Sequence, residues 1–107
     1  MEQKQYSIIL VNLDPTIGSE IKKNRPRVII SPNEMNKYLG TIVVAPMTTD
    51  LKKYPTRITI KINNKKVMVA IDQISTIDKQ RIVKVLDSLT KSEIRKCKEV
   101  LKETFVD

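Results

Sequence analysis

Arg57, Thr59 and Lys61 alternate with Ile58, Ile60 and Ile62, and the polar pair Asn63-Asn64 follows at once. Lys66–Ile71 then forms a second apolar-rich run. Strict period-two alternation places one side chain set on each face of a strand, and two central residues that tolerate positive φ make a tight hairpin turn. The segment Thr56–Ile71 is therefore predicted to be a β-hairpin with one wet face carrying cations. A chain of 107 residues built around such a hairpin has room for one domain, expected to span residues 1–107, with one core.

The remaining apolar runs are equally short. Ser7–Leu13 reads as a buried strand ended by the turn signal Asp14-Pro15. Thirteen residues of low apolar content, Asp14–Pro26, then read as a long loop, and loops of that length in small domains are commonly functional. Further strands are expected at Arg27–Ser31, Thr41–Met47 and Ile82–Leu86. One helical turn is expected after Ser31, with Pro32 at its first helical position. Near the C-terminus, Thr90 with Glu93 three residues on forms a capping box. Ile94, Cys97, Val100, Leu101 and Phe105 then recur at helical spacing, so a helix with these residues in the core is predicted. Several short strands ending in one amphipathic helix suggest a small, mostly antiparallel barrel.

Charge is distributed unevenly over this frame. Between Lys22 and Lys66 there are eleven Lys or Arg against Glu34 and Asp50 alone, a local +9 that exceeds the +8 of the whole chain. Such a segment directs a field at one face and attracts a polyanion, nucleic acid being the obvious one. The plainer alternative is a solvated, Lys-rich surface. The chain has no histidine and one cysteine. That composition argues against a structural zinc site, an internal disulfide, and Ser-His or Cys-His nucleophile pairs. Catalysis would have to use carboxylates, Arg, Lys, Tyr or hydroxyls. The opening residues lack signal-peptide architecture and no apolar run reaches the length of a membrane span, so a cytoplasmic protein with no membrane association is expected.

Two polar segments hold the candidate chemistry. The first, Asp14–Pro26, contains Glu20 and Arg25, five residues apart; the second begins Pro46-Met47-Thr48-Thr49-Asp50. Singly, Glu20 reads as a turn cap, Arg25 as a solvated cation, and the threonines as turn residues. Together they suit one reaction that needs neither metal nor histidine: attack of an RNA 2′-hydroxyl on its own 3′-phosphate. A carboxylate can take the 2′-proton, a guanidinium presents a bidentate fork to phosphate, and a threonine hydroxyl can donate to a phosphate oxygen. Asp72-Gln73, after Val67–Ile71, reads as a polar exit from a core strand.

These residues, in this order, resemble the MazF/PemK family of toxin–antitoxin endoribonucleases. The likeness runs from Val11-Asn12-Leu13-Asp14-Pro15-Thr16-Ile17-Gly18-Ser19-Glu20 through Arg25-Pro26 to Ser31-Pro32. It continues at Val44–Thr49, at Tyr54-Pro55 and at Ala70-Ile71-Asp72-Gln73-Ile74-Ser75-Thr76-Ile77-Asp78-Lys79. The resemblance implies an SH3-like small antiparallel β-barrel with a C-terminal α-helix, acting as a homodimer. It implies metal-independent, cofactor-free, sequence-selective cleavage of single-stranded RNA to 2′,3′-cyclic phosphate and 5′-hydroxyl ends, and inhibition by an acidic cognate antitoxin. On matching positions the implied catalytic residues are Glu20, Arg25 and Thr48. Ser19, Lys22, Lys23, Thr49, Asp72 and Gln73 are the candidates for substrate contact.

The chain departs from the family pattern in three places. Tyr6-Ser7 stands where the family opens with Gly-Asp, Ala70 where the PemK branch has arginine, and Ser75 where a basic residue is common. The four aromatics, Tyr6, Tyr38, Tyr54 and Phe105, are few for a stacking platform, so base recognition is expected to rest on backbone and amide groups. Two other functional classes fit the same outline: a non-enzymatic poison of DNA gyrase on the related CcdB-type fold, and an inactive nucleic-acid-binding domain.

Overall fold

The computed structural model describes residues 3–13 and 24–106. Seven strands, β1 (Ser7–Asn12), β2 (Asn24–Ile29), β3 (Thr41–Thr48), β4 (Arg57–Ile62), β5 (Lys65–Ala70), β6 (Ser75–Asp78) and β7 (Ile82–Ser88), are joined by helices α1 (Asn33–Tyr38) and α2 (Lys91–Leu101). The strands form one curled antiparallel sheet in the order β4-β5-β3-β2-β1-β7, with β6 also pairing β3. The expected small antiparallel β-architecture with a C-terminal helix is the one observed, as a half-barrel.

The β4–β5 hairpin falls where alternation placed it. Asn63 and Asn64 take φ of 51° and 65°, the left-handed conformations that a two-residue hairpin turn requires. Ile62 pairs Lys65, and the register runs back to Arg57 opposite Ala70. One edge of β3 is shared by two successive partners. Thr41–Val44 pair β6, whereas Met47 and Thr48 pair β5. A 3-10 turn, Ile71–Gln73, bridges the two partner strands beside Ala45 and Pro46. Asp72 and Gln73 thus lie in the turn just past the end of β5, as expected of a polar exit from that strand.

Two apolar clusters, one on each face of the sheet, replace the single expected core. The larger gathers Ile8, Val28, Ala45, Ile58, Ile60, Val69 and Ile71 under Ile94, Cys97, Val100 and Leu101 of α2. The smaller holds Ile9, Val11, Ile29, Ile42 and Val44. Strand β1 serves both faces, which is why its sequence is a continuous apolar run.

Other boundaries moved for physical reasons. β2 begins at Asn24, so Asn24-Arg25-Pro26 belong to a strand rather than to the polar loop; pairing with β1 overrides their poor strand propensity. Pro32 is the N-cap of α1 instead of its first helical residue. α1 is docked by buried Asn36, whose Nδ2 donates to Gln3 O at 2.8 Å and Ser31 O at 2.9 Å, while Ser31 Oγ donates to Asn36 Oδ1. Phe105 is exposed rather than part of the helical stripe. After Leu101 the chain winds as a π-helical turn, Lys102–Val106, which shifts the phase. Tyr6 takes φ of 68° at the position where the resembled family has glycine. Its N–H donates to Ile29 O at 2.7 Å and its carbonyl accepts from Leu89 N–H at 2.9 Å, holding a conformation that costs a tyrosine about 1–2 kcal/mol.

Candidate nucleic-acid interface

Strand register decides which polar residues share a face. Arg27 pairs Pro46, Val28 pairs Ala45 and Ile29 pairs Val44. Val28 and Ala45 point into the larger cluster, so Arg27 and Pro46 point the other way. The pairing of β2 with β3 ends at Arg27–Pro46, and alternation turns Arg25, two residues back on β2, and Thr48, two residues on along β3, to that second face. Arg25 also pairs Val11 of β1, and Thr48 pairs Met68 of β5, which in turn pairs Thr59 of β4. Two rows therefore lie on this face, Val11–Arg25 across β1 and β2 and Thr48–Met68–Thr59 across β3, β5 and β4, with a cation on the first and two hydroxyls on the second.

Local geometry prepares Thr48. Its Oγ1 accepts from Asp50 N–H at 3.1 Å, and Asp50 Oδ1 accepts from Lys52 N–H at 3.2 Å. These side-chain turns fix the exit from β3 and use the Thr48 oxygen as acceptor, leaving its proton to donate outward. Thr48 is half-buried and Thr49 exposed. Asp72 and Gln73 are also exposed, in the turn that follows β5.

Arg25 is exposed on β2, whereas Arg27 on the same face is half-buried. Arg27 Nη1 donates to Pro26 O at 2.9 Å. Burial, and next the charge of Arg25, push its pKa below the ordinary guanidinium value. The Arg25 charge thus disfavours the protonated Arg27 guanidinium, a penalty that a bound anion would relieve. Arg27 was not singled out from sequence, although the Arg25/Arg27 spacing of two on a strand was the available signal.

β1 and β2 meet at the Asn12–Asn24 pair, one residue from Arg25. Ser19, Glu20, Lys22 and Lys23 lie in the connection between those strands, outside the described residues. The structure thus turns Arg25 and Thr48 to one face of the sheet, with Thr49 next to Thr48 and Asp72 and Gln73 in the turn after β5, and Arg25 reaches that face from a strand rather than from a flexible loop. Among the described residues, no three His, Cys, Asp or Glu side chains are grouped to hold a metal ion.

A curled half-barrel with one C-terminal helix is a fold found in solved endoribonuclease toxins. Residues 4–105 match the model of the PemK-like, MazF-like toxins of type II toxin–antitoxin systems, and the chain belongs to that family. It is 34% identical over 97 residues to the endoribonuclease MazF of Staphylococcus epidermidis, covering 85% of this chain and 81% of that protein. It is 35% identical over 103 residues to the MazF of Staphylococcus saprophyticus, covering 91% and 83%. Among solved structures, a mycobacterial endoribonuclease in complex with its cognate antitoxin superposes with a TM-score of 0.81 at 19% identity, over 97% of this chain and 95% of that one.

Proposed function

We propose that this chain, an endoribonuclease toxin of the MazF kind, cuts single-stranded RNA at the Arg25–Thr48 face by internal transfer at phosphorus. The RNA 2′-oxygen attacks the adjacent phosphorus, its proton passing to the Glu20 carboxylate. The bond from phosphorus to the 5′-oxygen breaks, that oxygen takes up a proton, and the ends are a 2′,3′-cyclic phosphate and a 5′-hydroxyl. Arg25 holds the phosphate oxygens and offsets the charge that develops on them; Thr48 donates its hydroxyl proton to the same group. The reaction draws on the chain's own side chains and requires no metal.

The observation that carries this reading is the strand alternation that turns Arg25 and Thr48, 23 residues apart in sequence, to one face of the sheet. The family membership supports it, as does the match of Glu20, Arg25 and Thr48 to the residues implied by the resemblance. Ser19, Lys22, Lys23, Thr49, Asp72 and Gln73 are assigned to substrate contact on the same grounds. The protein acts in the cytoplasm as a homodimer. Its inhibitor is an acidic antitoxin segment that competes for the phosphate-binding face, as suits the +9 of the segment from Lys22 to Lys66.

The decisive experiment incubates purified protein with a mixed RNA pool in excess EDTA and sequences both new ends. Cleavage at a short recurring motif, with cyclic phosphate and 5′-hydroxyl termini, is expected. Intact RNA, or cleavage abolished by EDTA, overturns the proposal.

A further inference from the structure

A groove of about 400 Å³ lies between β4, the segment before it and helix α2. The proposed cleavage chemistry does not use it. Tyr54, Arg57, Met68, Lys53, Lys96 and Glu99 contribute to its walls.

Its central feature is built by a turn. Arg57 N–H donates to Tyr54 O at 3.0 Å, closing Tyr54-Pro55-Thr56-Arg57, with Pro55 at the position whose φ proline presets. The two ends of the turn are thereby held together, and the Arg57 guanidinium sits 4.8 Å from the Tyr54 ring centroid. Arg57 Nε is buried and has no hydrogen-bond partner, so this donor is left unsatisfied. Across the ladder from Arg57 stands Ala70, which is buried. Tyr54 is 48% exposed, so one ring face is covered by Arg57 while the ring still presents surface to solvent.

The groove also adjoins the cleavage face. Met68 is 3% exposed, and Thr59 Oγ1 donates to its Sδ at 3.1 Å. Met68 pairs Thr48 on its other side, so Thr59 and Thr48 are two strand spacings apart, about 10 Å. One continuous strand of RNA can occupy both places.

We propose that this groove seats a nucleotide flanking the cleaved bond: the base stacks on the open face of Tyr54, and its phosphate meets Arg57 with Lys53 and Lys96 alongside. Glu99 is the one carboxylate in the wall, placed to accept from an amino group of the base and to repel a second phosphate. The proposal rests on the RNA-cleavage reading and adds a stacking residue where amide and backbone recognition alone was expected. Stacking on an aromatic ring is generally strong enough to move affinity about tenfold or more.

The test uses the full chain and an oligoribonucleotide spanning a site mapped in the mixed RNA pool. A second version has an abasic residue at each flanking position in turn. Tyr54→Ala is expected to raise KM about tenfold with a much smaller change in kcat, and Tyr54→Phe to recover most of the loss. One abasic position is expected to weaken binding to wild type but not to Tyr54→Ala, while Arg57→Ala raises KM for both oligonucleotides. Thermal melts check that each variant is folded. Wild type active with Tyr54→Ala unchanged in KM overturns the subsite and leaves the cleavage reading standing. So does a Tyr54→Ala defect confined to an acidic peptide. Wild type inactive on every RNA overturns the cleavage reading itself, and the subsite with it.

Discussion

The backbone N–H of Lys61 donates to Glu93 Oε2 at 2.9 Å, although the two residues are 32 apart in sequence. The other oxygen of the same carboxylate accepts from Thr90 N–H at 2.8 Å, and Glu93 N–H donates to Thr90 Oγ1 at 3.2 Å. One side chain therefore completes the capping box of α2 and satisfies a donor on the outer edge of β4. An edge strand with open donors invites pairing with another chain, and here the helix start blocks it.

Glu93→Ala should accordingly destabilise the protein by about 1–2 kcal/mol, since a cap is lost and the Lys61 donor is left without its acceptor. For a domain of this size that corresponds to a fall in Tm of roughly 5–10 °C. Glu93→Gln retains an acceptor in the capping-box position and should lose much less. Thermal unfolding followed by circular dichroism compares the two, and equal melting of wild type and Glu93→Ala would refute the double role.

Arg25→Ala should reduce RNA cleavage by about 100-fold or more, the scale of removing one group that stabilises developing charge. The melting temperature should stay near wild type because Arg25 is exposed on β2. Arg25→Lys keeps the charge but not the planar fork, and should fall between the two. Initial rates on a mapped oligoribonucleotide, with a thermal melt of each variant, test both halves. Full activity in Arg25→Ala would remove it from the site.

The local parts of this fold were legible because short-range rules governed them. Alternation around Ile58, Ile60 and Ile62, the Asn63-Asn64 turn and the Thr90/Glu93 box each concern neighbours a few residues apart. β6 was missed because Ser75-Thr76-Ile77-Asp78 carries one large apolar residue, and only its pairing with β3 makes it a strand. Arg25 was assigned to a loop for the same reason, since its strand conformation comes from β1. Arg25 and Thr48 were each named from sequence, yet their shared face depends on the β2–β3 register, which no local pattern encodes. The Tyr54–Arg57 stack was readable in principle, as a Pro55 turn with an aromatic and a cation at its ends.

Thr48→Ala should slow cleavage by about tenfold, less than Arg25→Ala, because it removes one neutral hydroxyl donor. It also removes the acceptor for Asp50 N–H, so loss of that turn contributes. Thr48→Ser restores both functions of the hydroxyl and should recover most activity, whereas Thr48→Val should not. Parallel rate measurements on the three variants separate hydroxyl chemistry from side-chain shape, and equal activity of Thr48→Val and Thr48→Ser would exclude a role for the hydroxyl.

Cys97 is fully buried on the inner face of α2, and burial pushes its thiol up to about 11 from an ordinary 9.0. The folded protein therefore holds the thiol proton more tightly than the unfolded chain does. Between these two values the unfolded state binds fewer protons, so stability falls as pH rises. The contribution is complete below about pH 9 and is progressively lost towards about pH 11. Urea unfolding at a series of pH values should show this alkaline loss in wild type and a shallower one in Cys97→Ala. Tyr6 adds a second component of the same sign, because its hydroxyl is raised by burial and next by the neighbouring Cys97. At pH 8 the native thiol should react with an aromatic disulfide reagent far more slowly than in denaturant, since the attacking thiolate is suppressed and shielded. Rapid labelling of the folded protein would place Cys97 outside the core.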